Sequence, residues 1–338
     1  MKKLLLIRYG AYGDIIYMSS LLPYLLEQYE ITLETNIRGY HLFKDDPRFT
    51  NVRCIDPFAI PEEKRVDVVR RYWDLLPELQ PDFEILNLIG TLELSCVCNE
   101  IVPDATLPTK ERARKYGANF YENHFKRAKI PFPGDFTAEN HIFFTNHEKE
   151  VVGRWALKNK DTFTMIVVLG GSTIQKVFPT WMKEYCEWVI DNHPKATIYL
   201  LGDKDCADEV WTYERTVSYV HGTNGFNLPF KQALLMAKHA DYVIGGETGL
   251  LVGAGHWGTP KTMLSTTSAM DQTVKYHRND HSLQSSAECS PCYRSCYTPT
   301  HCKLDPVYNT FPICTHEWDM AKLKGIINGL YETKMLYM

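Results

Sequence analysis

Short apolar runs closed by glycine or polar turns recur along the chain, and longer stretches with apolar residues every three or four positions separate them. Leu4 to Arg8 reads as a first strand, followed by the turn Tyr9-Gly10-Ala11-Tyr12-Gly13-Asp14 and an apolar-periodic helix from Ile15 to about Glu27. Ile31 to Thr35, Val52 to Ile55 and Phe83 to Leu88 predict further strands, with a helix over Glu62 to Leu79. Strands alternating with helices predict a parallel sheet covered by helices.

The pattern breaks between about Pro131 and Lys160, where Pro131-Phe132-Pro133-Gly134-Asp135 is turn-rich, His141 to Thr145 predicts a short strand and His147 to Lys158 a helix. The same grammar then restarts. Met165 to Leu169 is a strand before the loop Gly170-Gly171-Ser172-Thr173, a helix lies near Trp181 to Asn192, and the strand Thr197 to Leu201 ends at Gly202-Asp203-Lys204. A helix near Lys231 to His239 leads to the strand Tyr242 to Ile244, whose tip Glu247-Thr248-Gly249-Leu250 opens a helix of small residues. The expected organisation is two doubly wound, Rossmann-like α/β domains facing each other, residues 1–150 and 160–316, with ligands at the strand carboxyl ends. Residues 317–338 have helical spacing and are expected to pack back on the first domain.

Length and charge narrow the class. A chain of 338 residues exceeds the size at which one core stops growing, which fits two domains of roughly 150 residues. A formal net charge of -4 supplies no bulk attraction to nucleic acid or anionic membranes. The opening Met1-Lys2-Lys3-Leu4-Leu5-Leu6-Ile7 is interrupted by Arg8 well short of a secretory signal's apolar core. No run approaches the roughly 18 apolar residues of a membrane helix, so a cytoplasmic protein is expected, with peripheral membrane contact left open.

Three loops placed after predicted strands carry the chemistry. Arg8 with Gly13-Asp14-Ile15-Ile16 and Leu21-Leu22-Pro23; Gly170 through Lys176, Pro179 and Trp181; and Glu247-Thr248-Gly249 through Gly258-Thr259-Pro260 occur in this order. With the cysteine-rich segment Cys289 to Cys302 they resemble glycosyltransferase family nine, the bacterial heptosyltransferases, over most of the chain. The resemblance implies the GT-B fold, with the nucleotide-sugar donor held mainly by the second domain and the acceptor mainly by the first. It also implies an inverting, metal-independent transfer of a heptose from ADP-heptose, or of a related activated sugar. The acceptor would be a hydroxyl of a lipopolysaccharide core or other glycan.

Asp14 is the candidate general base, because inversion needs a carboxylate beside the acceptor hydroxyl; the competing reading is a helix cap. Lys176, with the hydroxyls of Ser172 and Thr173, suits a leaving diphosphate whose charge grows in the transition state. Amides of Thr248, Gly249 and Leu250 would meet phosphate at a helix start, and Glu247 would bind a sugar hydroxyl or orient the loop. Gly13 belongs to the first loop, and Asp203 either meets the nucleotide's base or ribose or serves a plain turn. Glu247 stands where the family usually has Asp, and Val252 where many members have His, which leaves the donor sugar open.

Cys289, Cys292, Cys296 and Cys302, with Cys314 beyond, are compatible with structural zinc, reduced thiols or a disulfide. No other cofactor is expected. Basic residues of 110–115 and 126–129, interleaved with Tyr116, Phe120, Tyr121 and Phe125, are either a solvated helix face or a contact for an anionic glycolipid or nucleic acid. Two alternatives to the primary reading are transfer to a modified base in DNA and a non-catalytic sugar-nucleotide-binding protein. A dehydrogenase or epimerase ranks lower, since the first turn offers only Gly10 and Gly13 of a Gly-x-Gly-x-x-Gly pattern.

Overall fold

A computed structural model describes residues 1–55, 59–89, 108–171, 176, 179–203, 206, 210–220, 228–293, 302 and 311–338. Among these, the first compact unit is Met1–Thr145 and the second begins at Asn146 and includes the C-terminal helix. The division falls inside the turn-rich 131–160 stretch. No strand forms at His141 to Thr145: Ile142 and Phe144 bury alternate side chains, while Arg48 of the neighbouring turn donates to the His141 carbonyl.

The first unit contains β1 Lys2–Arg8, α1 Tyr12–Ser19, α2 Leu22–Leu26, β2 Tyr29–Thr35, α3 Ile37–Phe43, β3 Phe49–Cys54, α4 Glu62–Leu79, β4 Glu84–Asn87, α5 Thr109–Tyr116 and α6 Phe120–Ala128. Its four strands are parallel in the order β3-β2-β1-β4, so the first strand is interior and Leu4 to Ile7 are buried. The expected single helix from Ile15 to Glu27 is broken between Ser19 and Leu22. Pro23 at the start of α2 has no amide to continue a helical ladder, and Ser20 bonds back to Tyr17 in a tighter turn.

In α6, Tyr121 and Phe125 are fully buried. Tyr121 packs edge-on to Tyr17 at 4.9 Å, and Phe125 sits 5.1 Å from Tyr24 and from Phe132. Lys110, Arg114, Lys115, Lys126 and Arg127 are exposed, whereas Arg112 is buried and donates to Thr109 at 2.9 Å. Of the interleaved aromatics, Tyr121 and Phe125 are therefore core packing, while the basic residues around them face solvent.

The second unit contains α7 Asn146–Lys158, β5 Phe163–Val168, α8 Pro179–Asn192, β6 Ala196–Leu201, β7 Thr216–Ser218, α9 Phe230–His239, β8 Tyr242–Gly246, α10 Gly249–Trp257, β9 Lys261–Ser265, α11 Met270–Thr273, β10 Leu283–Gln284 and α12 Met320–Leu336. Its parallel sheet runs β10-β9-β8-β5-β6-β7. Relative to the unit's first strand this is the doubly wound order, with the switch point between β5 and β8. α12 was expected on the first domain. Its Leu323 and Ile327 instead enter the second unit's core with Phe163, Val189 and Ile198. Asn328 bonds His193, and Lys334 pairs with Asp241, because the apolar stripe and these polar partners fit the second sheet's helix layer.

Candidate functional site

In the first unit the turn after β1 presents Asp14. Gly10 adopts a positive φ of 136°, a conformation open to glycine, and Asn36 donates to its carbonyl at 2.9 Å. Asp14 Oδ2 accepts from the Ala11 amide at 2.7 Å, which caps α1. Oδ1 faces the Arg8 guanidinium at 3.8 Å, with Arg8 wholly buried and the Asp14 side chain 24% exposed. One oxygen thus holds the helix start while the other side of the carboxylate reaches solvent. His124 of α6 is buried near Arg8, and burial together with that guanidinium holds its pKa well below the usual value.

Beside this turn lies a network with no sequence signature. Glu34, buried near the tip of β2, accepts from the hydroxyls of Tyr9 and, at 2.6 Å, of Tyr72. Burial and the Glu34 carboxylate push both phenols up. The signal available was a lone carboxylate inside the apolar run Ile31 to Thr35, and it reads equally as an edge residue.

In the second unit, the loops after β5 and β8 flank the switch point. A Cβ added to Gly171 would lie 2.9 Å from Lys176 Cβ and 3.1 Å from Thr248 Cγ2, so glycine lets the β5 loop pass between the lysine stem and the α10 start. Ser172 and Thr173 lie outside the described residues. Thr248 is the N-cap of α10 in extended conformation, yet its hydroxyl caps nothing. Thr248 Oγ1 is buried with no hydrogen-bond partner among the described residues. A threonine here ordinarily satisfies one first-turn amide. Without it, the first-turn amides that begin at Gly249 and Leu250 remain for an anion, favoured by the helix dipole.

Glu247 is turned sideways. Oε2 accepts from the Thr267 hydroxyl at 2.5 Å and its amide at 3.4 Å, and Oε1 from the Ser268 amide at 2.8 Å. Of its two expected roles, these contacts are those of the loop-orienting one, and the extra methylene over Asp supplies the reach to the β9 tip. Asp203, exposed at the tip of β6, accepts from the Cys206 thiol at 3.6 Å, and its carbonyl from the Cys206 amide at 3.1 Å. Val252 is buried, and His256 faces inward against His277 at 5.7 Å, away from the start of α10.

Cys314 is buried and hydrogen-bonds the Cys289 thiol; that bond, burial and the nearby Cys292 and Cys302 thiols push its pKa well up. Cys289 is thus a partner of Cys314, and Cys296 lies outside the described residues. Among the described residues no group of three or more His, Cys, Asp or Glu is arranged to hold a metal ion. No helix among them is long and apolar enough to cross a membrane.

Two parallel Rossmann-like sheets with ligand-ready strand tips define an α/β protein of the GT-B type. No protein-family model and no curated protein matches the chain. Among solved structures it is similar to a glycosyltransferase of family 9 from Veillonella parvula, with TM-score 0.67 and 9% identity over 98% of each chain. It is also similar to the E. coli ADP-heptose lipopolysaccharide heptosyltransferase II, with TM-score 0.60 and 12% identity over 98% of this chain and 99% of that one. The iron-containing dodecameric glycosyltransferase TibC from enterotoxigenic E. coli matches with TM-score 0.55 and 13% identity, over 98% of this chain and 80% of that one. What is shared at these identities is the fold.

Proposed function

We propose that the protein is a glycosyltransferase that transfers a sugar from a nucleoside diphosphate donor to an acceptor hydroxyl with inversion and without a catalytic metal. The observation that carries this reading is the uncapped start of α10 at the switch point, with Thr248 Oγ1 buried and unpartnered and Lys176 against the same glycine. That arrangement suits a diphosphate, and its charge grows as the sugar departs. The Thr248, Gly249 and Leu250 amides, Lys176, Ser172 and Thr173 hold the diphosphate in this reading, and Asp203 lies toward the nucleoside. Asp14 accepts the proton of the attacking hydroxyl as the new glycosidic bond forms and the bond to the diphosphate breaks.

The donor proposed is ADP-heptose or a related sugar nucleotide, and the acceptor a lipopolysaccharide core or other glycan, in the cytoplasm and at the membrane surface. One similar structure is a heptosyltransferase described with ADP, which supports the choice of base. A DNA acceptor loses its main support, because Tyr121 and Phe125 are core residues and have no face left for bases. A thermal-shift panel of ADP-, UDP- and GDP-sugars tests the reading: a donor at a hundred times its dissociation constant stabilises by about 2.7 kcal/mol. No shift with any of them would sink it.

A further inference from the structure

The cysteine-bearing segment is tied to both loops of the proposed nucleotide site. Toward the β9 tip, Ser290 Oγ donates to the Thr266 carbonyl at 2.9 Å, and the Tyr293 amide donates to the Thr267 carbonyl at 2.7 Å. Glu247 holds Thr267, and the next residue Ser268, from the other side. Gln284 joins the same knot, donating to Ser290 Oγ at 2.8 Å and to the Ser265 carbonyl at 2.9 Å.

Toward the β5 loop, Cys289 hydrogen-bonds Cys314, in the turn Ile313–Thr315. The carbonyl of Thr315 accepts from Trp181 Nε1 at 2.7 Å and from Trp318 Nε1 at 2.9 Å. Trp181 stands in the first turn of α8, directly after the loop that carries Lys176. Contacts therefore run from Glu247 through Thr267, Tyr293 and Ser290 to Cys289, and on through Cys314 and Thr315 to Trp181.

We infer that the Cys289–Cys314 contact is a positioning element of the nucleotide site, stapling the β9 loop to the start of α8 so that the chemical state of these thiols sets the affinity for a nucleoside diphosphate. The inference rests on the donor reading above. Bulk or charge added at either thiol separates Ser290 from Thr315 and releases Thr267 and Ser268 from Glu247. The thiols themselves touch no donor atom in this scheme.

The test uses the full chain with ADP as the probe. Hydrogen exchange of the Thr267 and Ser268 amides is compared in wild type, Cys314→Ser, Ser290→Ala and protein alkylated with N-ethylmaleimide, alongside calorimetric ADP affinity. The expected result is faster exchange confined to 266–268 and ADP binding weakened about tenfold, or about 1.4 kcal/mol, in all three. Ser290→Thr, which keeps the hydroxyl, restores both readouts. Cys54→Ser, at an exposed thiol of the first unit, changes neither. Unchanged exchange in both Ser290→Ala and alkylated protein overturns the staple. Altered exchange with no ADP binding even by wild type keeps the staple and instead removes the donor reading; should Cys314→Ser fail to fold, alkylation and Ser290→Ala carry the result.

Discussion

Asp14→Asn separates the two roles of this residue, because only one of them needs a carboxylate. The bond from the Ala11 amide at 2.7 Å needs an acceptor oxygen, and asparagine supplies one at an N-terminal turn about as well as aspartate. What is lost is the charge facing Arg8. Unit charges 3.8 Å apart attract by about 4 kcal/mol at an effective dielectric of about 20. The asparagine dipole and the Asp14 carbonyl, which accepts from Arg8 Nε at 3.5 Å, recover part of this. The expected net loss is about 2 kcal/mol, a melting shift of roughly 4–8 °C for a unit of this size. Removing a general base lowers kcat by about 10²–10⁴-fold, or 2.7–5.5 kcal/mol of activation free energy. The assay is ADP release from ADP-heptose with deacylated lipopolysaccharide core, run well below the variant's melting midpoint, with ADP affinity as the control for the second unit. A folded Asp14→Asn protein with normal ADP affinity and kcat within threefold of wild type would refute the assignment.

Lys176→Met is expected to lower kcat by about 10²–10³-fold, because the lost cation acts on charge that develops as the donor bond breaks; a change in KM alone would count against it. Tyr72→Phe leaves Glu34 Oε2 without its 2.6 Å donor and should cost about 1–3 kcal/mol in urea unfolding of the first unit. Gly255→Ala would place a Cβ 2.2 Å from the His277 ring, so melting of the second unit should fall by several degrees while the first unit is unaffected. His124 and His277 are held neutral by burial, with neighbouring cations adding to the effect. Their folded pKa values are depressed, so only the unfolded chain takes up the protons. Stability from each histidine is full above about pH 6.5 and falls by about 1.4 kcal/mol per pH unit below it; melting midpoints from pH 7.5 to 5 that stay flat would contradict this.

The sheets were legible because parallel strands are buried on both faces and so read as unbroken apolar runs: Phe163 to Val168 and Tyr242 to Gly246 are buried at every position. Lys176 and Thr248 were legible as strand-tip residues, and their shared neighbour Gly171, which precedes both in sequence, lies against each of them in space. Long-range pairings left no local trace. The Cys314 thiol reaches Cys289 from far along the chain, brought there by a turn that two tryptophans hold. Glu34 likewise carried no local signal, since its partners Tyr9 and Tyr72 come from the turn after β1 and from α4. The aromatics of α6 misled for a related reason: interleaving with lysine and arginine is what an amphipathic helix shows whichever face is buried.

The central place of β5 has a consequence in time. One edge of this strand pairs with β6, which follows closely, but the other must wait for β8: Thr164 bonds Asp241, 77 residues later. At about 5–20 residues per second, a ribosome needs roughly 4–15 s to supply that partner. For that interval the run Phe163-Thr164-Met165-Ile166-Val167-Val168 presents an open, uncharged strand edge exposed to mispairing with another nascent chain. The topology that puts β5 in the middle of its sheet is also what leaves one of its edges unpartnered for seconds during synthesis.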